Sequence, residues 1–465
     1  MSEQRPLFHF EISERKVLLR LFDNFCVLLS LSLVGIIFNF DYFRITSDTW
    51  TWTLVFVLYF NIFNTVFELY DLRKASQWDA SLQNVLLSTA LTVLFFMLTP
   101  YLTPVLPENR LQILFFFLAI ALAMLLWRLL YINLISTPRF YKRVLVVGDS
   151  FDIRLIADSL QKSDPNYMVV GFVNTDHRGN HDLDESGLLR FEVDKLSDTI
   201  RAHHINEIVV ASGYQKGLML SLYTQLNELL KTGFPIRDYI QVYEEVTRRI
   251  PVEHVDKHFY RYFPFSRSNQ NKFYLLVFRV LDMLISLLGL IFGILILPFI
   301  LIGNLLANRG SLFYRQERVG KNGKVFSILK LRTMTRDAEP NGPRYAEKND
   351  CRVTRFGKFL RRSRIDEIPQ FYNVLKGEMS LIGPRPERPV FVRELSDSIP
   401  FYDTRHVIKP GLTGWAQVMA DYGTCHTDSL LKLQYDLYYI KHRGIFLDLN
   451  ILLKTLSTVI FYRGQ

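Results

Sequence analysis

The stretch that decides the fold runs from Met283 to Asn308 and reads MLISLLGLIFGILILPFILIGNLLAN. It carries no charged residue and is longer than the roughly 20 apolar residues that a membrane-spanning helix needs. It also contains Pro298, and a proline removes a helical hydrogen bond and clashes with the preceding turn. The pattern therefore predicts a helix that lies in a membrane and is broken at Pro298.

Basic residues flank this stretch on both sides. Lys272 and Arg279 precede it, and Arg309 and Arg315 follow it. Positively charged residues concentrate on the cytoplasmic side of membrane helices, so both ends should face the cytoplasm. We therefore expect a re-entrant helix-break-helix at about 274–308, with a full crossing of the membrane as the alternative.

Four further apolar stretches lie in residues 1–140, and each is uncharged over about the thickness of a membrane. They run from Asn24 to Phe40, Thr49 to Phe67, Ala80 to Pro107 and Leu111 to Trp127. Lysines and arginines cluster before the first, between the second and third and after the fourth, whereas the other two loops carry little more than Arg44 and Arg110. This asymmetry predicts four transmembrane helices with both ends in the cytoplasm.

Residues 141–265 have the pattern of a soluble α/β domain. Val144 to Val147 form a short apolar run that ends in Gly148, and Glu207 to Ser212 repeat this order of strand and small residue. The pattern predicts a parallel, Rossmann-like sheet. A dinucleotide site needs several glycines in the first turn from strand to helix, and Gly148 is the only one there. NAD binding is therefore the weaker alternative to a structural or regulatory role.

The composition excludes several classes of protein. Apolar residues make up 49% of the 465 residues, too many for an ordinary soluble protein, and 22% are charged, too many for a chain wholly within a bilayer. Cys26, Cys351 and Cys425 are too scattered for a disulfide framework or a zinc site. We expect a membrane protein with reduced cysteines and with no nucleic acid among its partners.

The residues after Arg309 carry the chemistry. Eight lysines and arginines occur with one acid between Arg309 and Arg336, and six basic residues occur without an acid between Cys351 and Ile365. Some arginines lie beside glycine or proline, as in the turn from Gly383 to Pro386. Rigid turns suit bidentate binding of phosphate by guanidinium groups. Attraction to anionic lipids is the alternative role for such charge.

Two adjacent carboxylates, Asp366 and Glu367, follow this basic segment. Neighbouring residues on a helix project about 100° apart, so both cannot serve one point. One can hold Mg²⁺ while the other attacks phosphorus or acts as a base. Pro369 belongs in the first turn of a helix, so a helix should begin near Asp366, and its positive end should favour an ionised Asp366. A simple helix cap is the alternative.

Five motifs in this region resemble those of a known family. In chain order they are Arg315-Gln316-Glu317-Arg318-Val319-Gly320, Lys330-Leu331-Arg332-Thr333-Met334, Asp366-Glu367-Ile368-Pro369-Gln370, Gly383-Pro384-Arg385-Pro386 and Lys409-Pro410-Gly411-Leu412-Thr413-Gly414-Trp415-Ala416-Gln417. Their order and spacing resemble the bacterial polyprenyl-phosphate hexose-1-phosphate transferases, the monotopic phosphoglycosyl transferases that start exopolysaccharide, capsule and O-antigen synthesis. The whole chain looks like their large form, with four spans, a degenerate Rossmann-like domain and an α-rich catalytic domain at 272–465.

The resemblance implies roles for individual residues. Asp366 would be the nucleophile and Glu367 a ligand of Mg²⁺. The expected substrate-binding side chains, with Arg405 on the uridine side, are Lys330, Arg332, Arg361, Arg385, Arg315, Arg318 and Arg405. This chain departs from the family at Leu297, where a serine usually precedes the proline, and at Arg364, which replaces a small residue and adds positive charge beside the phosphate.

The reaction that the resemblance implies is transfer of hexose-1-phosphate from UDP-glucose or UDP-galactose to undecaprenyl phosphate, with release of UMP. It would take place at the cytoplasmic face of the bacterial inner membrane, among membrane lipids, and the resemblance also implies a homodimer. Two alternatives stand beside it: a membrane-bound NAD-dependent sugar-nucleotide dehydratase and a non-enzymatic scaffold of polysaccharide assembly. The run from Tyr435 to Ile440 is expected to be an amphipathic aromatic helix at the membrane interface.

Overall fold

The computed structural model of the chain divides into two compact units, Met1–Thr247 and Arg248–Gln465. The structure describes residues 12–38, 50–70, 78–107, 109–135, 142–148, 156–158, 160–161, 167–174, 188–211, 220–252, 266–308, 310–335, 338, 342, 350–420 and 426–460. The finer division into 1–140, 141–265 and 272–465 stays a prediction.

The first unit begins with four apolar helices, which are α1 (Ile12–Phe38), α2 (Trp50–Val66), α3 (Trp78–Leu98) and α4 (Leu111–Leu130). Their shared core is rich in phenylalanine and aliphatic side chains, with Phe56, Phe60 and Phe116 buried among them. By length and composition, Lys16–Phe38, Ser81–Leu98 and Leu111–Asn133 can each cross a membrane, whereas α2 is a shorter apolar helix. Each predicted stretch coincides with a helix over most of its length, but residues 99–107 of the third lie beyond the end of α3. The basic loop residues at 73, 74 and 139 fall outside the described part.

The α/β part of the first unit contains a five-stranded sheet. Its strands are β1 (Lys142–Gly148), β2 (Tyr167–Asn174), β3 (Leu189–Phe191), β4 (Glu207–Ala211) and β5 (Ile236–Asp238), with α5 (Leu196–Ala202), α6 (Leu220–Lys231) and α7 (Tyr239–Thr247) between and after them. All strand pairs are parallel, in the order β3-β2-β1-β4-β5. This order is that of a Rossmann fold. The predicted strands at 144–147 and 207–212 are confirmed as β1 and β4, and the turn after Gly148 lies outside the described residues.

The second unit begins with the long apolar helix α8 (Lys272–Gly303), which passes into a π-helical turn at Asn304–Asn308. The segment Lys272–Asn308 is long and apolar enough to cross a membrane. The chain keeps its helical conformation through Pro298, so the helix does not end there, and a bend at Pro298 stays a prediction. A proline can bend a helix without ending it. The re-entrant course of the segment stays a prediction.

The rest of the second unit consists of short elements. They are β6 (Phe313–Val319), β7 (Val325–Leu331), α9 (Arg355–Arg362), α10 (Gln370–Lys376), β8 (Ser380–Ile382), α11 (Pro389–Ser398), β9 (Gly411–Thr413), α12 (Trp415–Met419), α13 (His426–His442) and α14 (Ile445–Ile460). β6 and β7 form an antiparallel hairpin, and β8 pairs with β9 in parallel. α13 is not the interfacial helix that was expected, because Asp436, Leu437 and Tyr439 in its middle are buried.

One face of α8 packs on the elements that carry the two carboxylates. Asp282, which is buried, accepts hydrogen bonds from Ser380 Oγ (2.8 Å) and Leu381 N (3.0 Å). At Gly293 a β-carbon would lie 2.7 Å from Cγ2 of Ile368, the residue that follows Glu367. The absence of a side chain at Gly293 therefore allows the carboxylate-bearing turn to lie directly against α8.

Candidate functional site

A short 3₁₀ turn, Ile365–Glu367, holds both carboxylates between α9 and α10. Arg364 precedes it in the left-handed region with φ of 54°, a conformation that ends α9 and costs energy for a residue with a side chain. α10 begins only at Gln370, with Pro369 as its N-cap. A 3₁₀ helix thus begins beside Asp366, as predicted, and presents the two carboxylates, whereas the α-helix begins one turn later.

Three basic side chains bind the Glu367 carboxylate. Its Oε1 accepts hydrogen bonds from Arg385 Nη2 (3.0 Å) and Lys330 Nζ (3.5 Å), and its Oε2 accepts one from Arg364 Nη1 (3.2 Å). Burial alone would raise the pKa of Glu367, but these three cations outweigh burial and hold the pKa well below its ordinary value. Glu367 is therefore a fixed anion at neutral pH.

Asp366 is also buried, with 8% of its surface exposed, but it is bound differently. No hydrogen bond from any residue in the described ranges reaches its carboxylate, and its interactions with Lys330, Arg361 and Arg385 are purely electrostatic. Burial, together with the negative charge of Glu367, raises its pKa from 3.8 to about 6. Asp366 is thus the carboxylate of the pair that accepts no hydrogen bond from the described residues, and the effect of the helix end on its ionisation stays a prediction.

Lys330 and Arg361 complete the charge around Asp366. Lys330 lies on β7, and burial lowers the pKa of its ammonium group to about 8, so it stays mostly protonated at neutral pH. Arg361 lies in the last turn of α9 and donates from Nε to Thr333 Oγ1 at 2.9 Å. Two cations on separate elements thus flank the carboxylate that lacks hydrogen bonds, an arrangement that suits a substrate with negative phosphates.

The register of the hairpin separates two arginines that were predicted to act together. Side chains alternate between the faces of a strand, so Arg318 shares a face with Lys330, which is paired with Tyr314, whereas Arg315 lies on the opposite face and is exposed. Arg318 donates to the carbonyl oxygen of Pro386 at 3.0 Å. The structure thus brings Arg318 to the turn that carries Arg385. It leaves Arg315 outside the carboxylate cluster, by which we mean Asp366, Glu367, Lys330, Arg361 and Arg385.

Two other predicted arginines bind protein groups. Arg332 is buried and donates from Nη2 to the carbonyl oxygen of Asn308 (3.1 Å), at the end of the π-helical turn. Arg405 is buried as well and donates to Asp436 Oδ2 (2.7 Å), Tyr402 Oη (2.6 Å) and the carbonyl oxygen of Arg385 (3.1 Å). Both guanidinium groups thus bind protein groups, and Nε of each has no partner among the described residues.

Sequence reasoning did not identify Arg364 or Asp436 as site residues. Arg364 was expected to add charge beside a phosphate, but it binds Glu367. Asp436 lies 31 positions after Arg405 along the chain, and nothing in the aromatic run around it indicates a buried ion pair. The only hint in the sequence is that an acid stands within an aromatic run. If such a run is buried, its carboxylate needs a partner, because an unpaired internal carboxylate is costly.

The two carboxylates fit a magnesium ion that is bound together with its substrate. Mg²⁺ prefers oxygen ligands and is usually held by one or two carboxylates, water and substrate phosphates. Asp366 and Glu367 are adjacent, and the Asp366 oxygens are free of hydrogen bonds from the described residues. Within the described ranges no group of three or more His, Cys, Asp or Glu side chains gathers around a possible ion. The remaining ligands would thus come from water and the diphosphate.

Comparison with known proteins identifies the family. The profile of the bacterial sugar transferases matches residues 273–462, which include every residue of the cluster. A UDP-glucose:undecaprenyl-phosphate glucose-1-phosphate transferase of Caulobacter vibrioides is 40% identical over 190 residues, which cover 39% of this chain and 69% of that protein. The chain belongs to the bacterial sugar transferase family. The resemblance seen in the motifs is thereby confirmed at the level of the family.

Other bacterial sugar transferases match different lengths of the chain. The UDP-N-acetylgalactosamine-undecaprenyl-phosphate N-acetylgalactosaminephosphotransferase of Aeromonas hydrophila is 38% identical over 49% of this chain, which corresponds to 52% of that protein. The match thus spans about half the length of this relative. The galactosyl transferase CpsE of Streptococcus agalactiae is 27% identical over 71% of this chain and 76% of its own. The profile of a CoA-binding domain matches residues 65–231 in the first unit.

Proposed function

We propose that the chain transfers a sugar-1-phosphate from a UDP-sugar to undecaprenyl phosphate and releases UMP. The observation that carries this proposal is the unequal binding of the two carboxylates: three cations fix Glu367, while Asp366 accepts no hydrogen bond from the described residues. A nucleophile must be free to form a bond, whereas a group that orients ions must be held in place. The names of the relatives support the same class of reaction.

In the first step a carboxylate oxygen of Asp366 attacks the phosphorus that bears the sugar. The bond from this phosphorus to the bridging oxygen breaks, UMP leaves, and an acyl phosphate forms on Asp366. In the second step an oxygen of undecaprenyl phosphate attacks the same phosphorus, and the Asp366 carboxylate is released. Lys330, Arg361 and Arg385 surround Asp366 with positive charge, which reduces the repulsion between carboxylate and diphosphate and stabilises the charge of the transition state.

Glu367, anchored by its three cations, would hold Mg²⁺ beside Asp366. The ion would supply electrostatic neutralisation of the diphosphate. The sugar is a separate question, because the relatives named above include transferases of glucose, N-acetylgalactosamine and galactose. UDP-glucose and UDP-galactose stay the predicted donors. UMP release from each of the three UDP-sugars, measured in parallel with purified protein and undecaprenyl phosphate, identifies the donor.

The mechanism is tested without the lipid acceptor. A UDP-sugar labelled in the phosphate nearest the sugar should label the protein, and the Asp366→Asn variant should neither accept label nor turn over. With both substrates present, ping-pong kinetics are expected. A matched control is Asp403→Asn, because the Asp403 side chain is 73% exposed and lies outside the cluster. Turnover by Asp366→Asn at near-native rate, or kinetics that require a ternary complex without labelled protein, would refute the covalent scheme.

We also propose that Lys272–Asn308 enters the membrane and returns on the cytoplasmic side. Polar partners from the folded domain bind α8 near its start, where Tyr274 bonds with Asp448, and in its first half at Asp282. Near its end, Asn304 donates to the carbonyl oxygen of Gly310 at 2.9 Å. The middle of α8 also packs on this domain, since Gly293 lies against Ile368, the residue that follows Glu367. A straight crossing would place this charged turn inside the bilayer, where it is unfavourable.

The topology is tested with a single cysteine at position 321, in a chain without native cysteines. A membrane-impermeant thiol reagent should label it only from the cytoplasmic side, and labelling from the outside would exclude the re-entrant course. Pro298→Ala should straighten α8 and reduce activity, since Pro298 is the only proline within this helix. Full activity of Pro298→Ala would show that other residues set the bend. The homodimer remains a prediction.

A further inference from the structure

The turn from Pro384 to Glu387, which carries Arg385, is bound at every one of its four carbonyl oxygens. Gly411 N donates to Pro384 O (2.9 Å), and Val319 N donates to Glu387 O (2.9 Å). The other two donors are guanidinium groups: Arg405 Nη2 binds Arg385 O (3.1 Å) and Arg318 Nη1 binds Pro386 O (3.0 Å). Prolines 384 and 386 have no backbone N–H, so the carbonyl oxygens are the main backbone groups by which this turn can be held.

Arg405 is the most deeply fixed of these donors. It is 5% exposed, and its guanidinium group also binds the Asp436 carboxylate and the Tyr402 hydroxyl. Asp436 is 1% exposed, so the two charges neutralise each other within the protein. A buried guanidinium that binds a carboxylate, a hydroxyl and a carbonyl has a single defined orientation.

Arg385 faces in the other direction. Its backbone carbonyl is bound by Arg405, while its side chain, 42% exposed, reaches Glu367 Oε1 at 3.0 Å. Of these two arginines, Arg385 is thus the one that is open to solvent and in contact with the carboxylate pair. A chain of contacts runs from Asp436 through Arg405 and the backbone of Arg385 to Glu367.

We propose that Arg405, held by Asp436, is a positioning residue that aims Arg385 at Glu367 and does not itself contact the substrate. The proposal rests on the transferase function proposed above. It replaces the sequence-based expectation that Arg405 binds the uridine side. Both terminal nitrogens of Arg405 are used on protein groups. An arginine held in this way contributes through the geometry of the residue it holds, and small losses of geometry cost rate more than binding.

The test compares kcat with KM for UMP release at saturating undecaprenyl phosphate, with the UDP-sugar that the wild-type protein uses. Arg405→Lys and Asp436→Asn should each lower kcat by about tenfold or more while KM for the UDP-sugar changes by less than about twofold, because only a transition-state arrangement is lost. Asp403→Asn is the matched control, since its side chain is 73% exposed on the same segment as Arg405, and it should leave both constants unchanged.

A double-variant cycle makes the test sharper. If Arg405 acts only through Arg385, adding Arg405→Lys to Arg385→Lys should lower kcat little further. If the two arginines contacted the substrate independently, the fold-losses in kcat of the two single variants would multiply. Because Asp436→Asn leaves Arg405 buried with less charge compensation and can impair folding, Tyr402→Phe serves as a second variant. It removes one hydrogen bond to Arg405 (2.6 Å) and leaves no buried charge unpaired. It should lower kcat by a few-fold at constant KM.

The outcomes distinguish this inference from the proposed function. A rise of KM of about tenfold in Arg405→Lys, multiplicative effects in the cycle, or native kinetics in all three variants would overturn the positioning role while leaving the transferase intact. Absence of UMP release by the wild-type protein with all three UDP-sugars would instead overturn the proposed function. A lowered kcat at constant KM, without further loss in the double variant, supports the positioning role.

Discussion

The helix bundle of the first unit and the carboxylate cluster of the second unit both bury charge, but they hold it differently. In the bundle, Arg128 and Asp23 have fully buried side chains and are joined by one hydrogen bond of 2.7 Å. Within the described residues, Nε and Nη1 of Arg128 have no partner. In the cluster, Glu367 has three cationic partners. Arg405, which binds the backbone of Arg385, has three acceptors, and of its nitrogens only Nε has no partner among the described residues.

This difference indicates different roles for the two charged groups. A single bond between two helices fixes their pairing and leaves the rest of each group unsatisfied, which is sufficient for a structural contact. Several bonds from different elements fix the orientation of a group, which is what catalysis by preorganised charge requires. Changes in the cluster should therefore affect the rate, whereas changes in the bundle should affect stability.

After the loss of turnover expected for Asp366→Asn, the largest effect is expected from Glu367→Gln. The amide keeps the shape but lacks the charge that three cations bind, so kcat for UMP release should fall by about 10²-fold or more. Glu394→Gln, on an exposed face of α11, is the control and should keep the native rate. Steady-state UMP release with Mg²⁺ is the measurement. If Glu367→Gln kept even half of the native rate, the cluster would be no more than a structural ion pair.

The next largest effect is expected at the contact between α8 and the carboxylate turn. Gly293→Val would place a side chain where a β-carbon already lies 2.7 Å from Ile368 Cγ2, so the turn must move away from the helix. We expect kcat to fall by about tenfold, since displacements of 1 Å at a reacting group can cost that much or more. Ile294→Val, at a position that is 67% exposed, should have no effect. Equal activity of both variants would mean that α8 does not position the turn.

Much of the fold was predictable because local patterns determine it. Uncharged stretches of membrane length predicted the helices of the bundle and α8, and β-branched runs before small residues predicted β1 and β4. The motif resemblance brought Asp366, Glu367, Lys330 and Arg385 together as site residues, and the structure places all four in one cluster.

The remainder depends on contacts that are distant along the chain. Arg318 and Arg405 were grouped with the substrate-binding residues through the motif resemblance, but their acceptors include carbonyl oxygens 68 and 20 positions away. Arg315 was included because it belongs to the same motif as Arg318, but strand alternation places it on the other face. A left-handed Arg364 has no sequence signature, since this conformation is favoured for glycine and asparagine. The role of each arginine therefore depends on which groups its side chain contacts in the fold, and the sequence alone does not show these contacts.

A third prediction tests the structural role of the buried pair in the bundle. Arg128→Leu leaves Asp23 buried without its cation, and removal of one partner of a buried pair typically destabilises by about 3–5 kcal/mol. The double variant Asp23→Leu/Arg128→Leu should recover most of that stability. Thermal unfolding of the detergent-solubilised protein measures both. UMP release per folded molecule should change by less than about twofold in either variant, and a specific loss of rate in the double variant would give the pair a role in the reaction.

A small effect on rate is also expected from removal of the first unit. The residues of the cluster lie between 330 and 385, and the second compact unit begins at Arg248. A chain of residues 248–465 should therefore release UMP with a kcat within about threefold of the full chain.

The starting residue of this truncated chain matters. Trp415 Nε1 donates to the carbonyl oxygen of Arg248 (3.2 Å), and Ile250 N donates to that of Gln434 (3.2 Å). A chain that begins at Arg267 loses both bonds and leaves the buried indole of Trp415 without its acceptor, which typically costs about 1–3 kcal/mol for each unsatisfied group. It should unfold at a lower temperature than the 248–465 chain while keeping a similar kcat where it is folded. If the 248–465 chain is folded but inactive, the first unit contributes to the reaction, and the contrast between a structural bundle and a catalytic cluster fails.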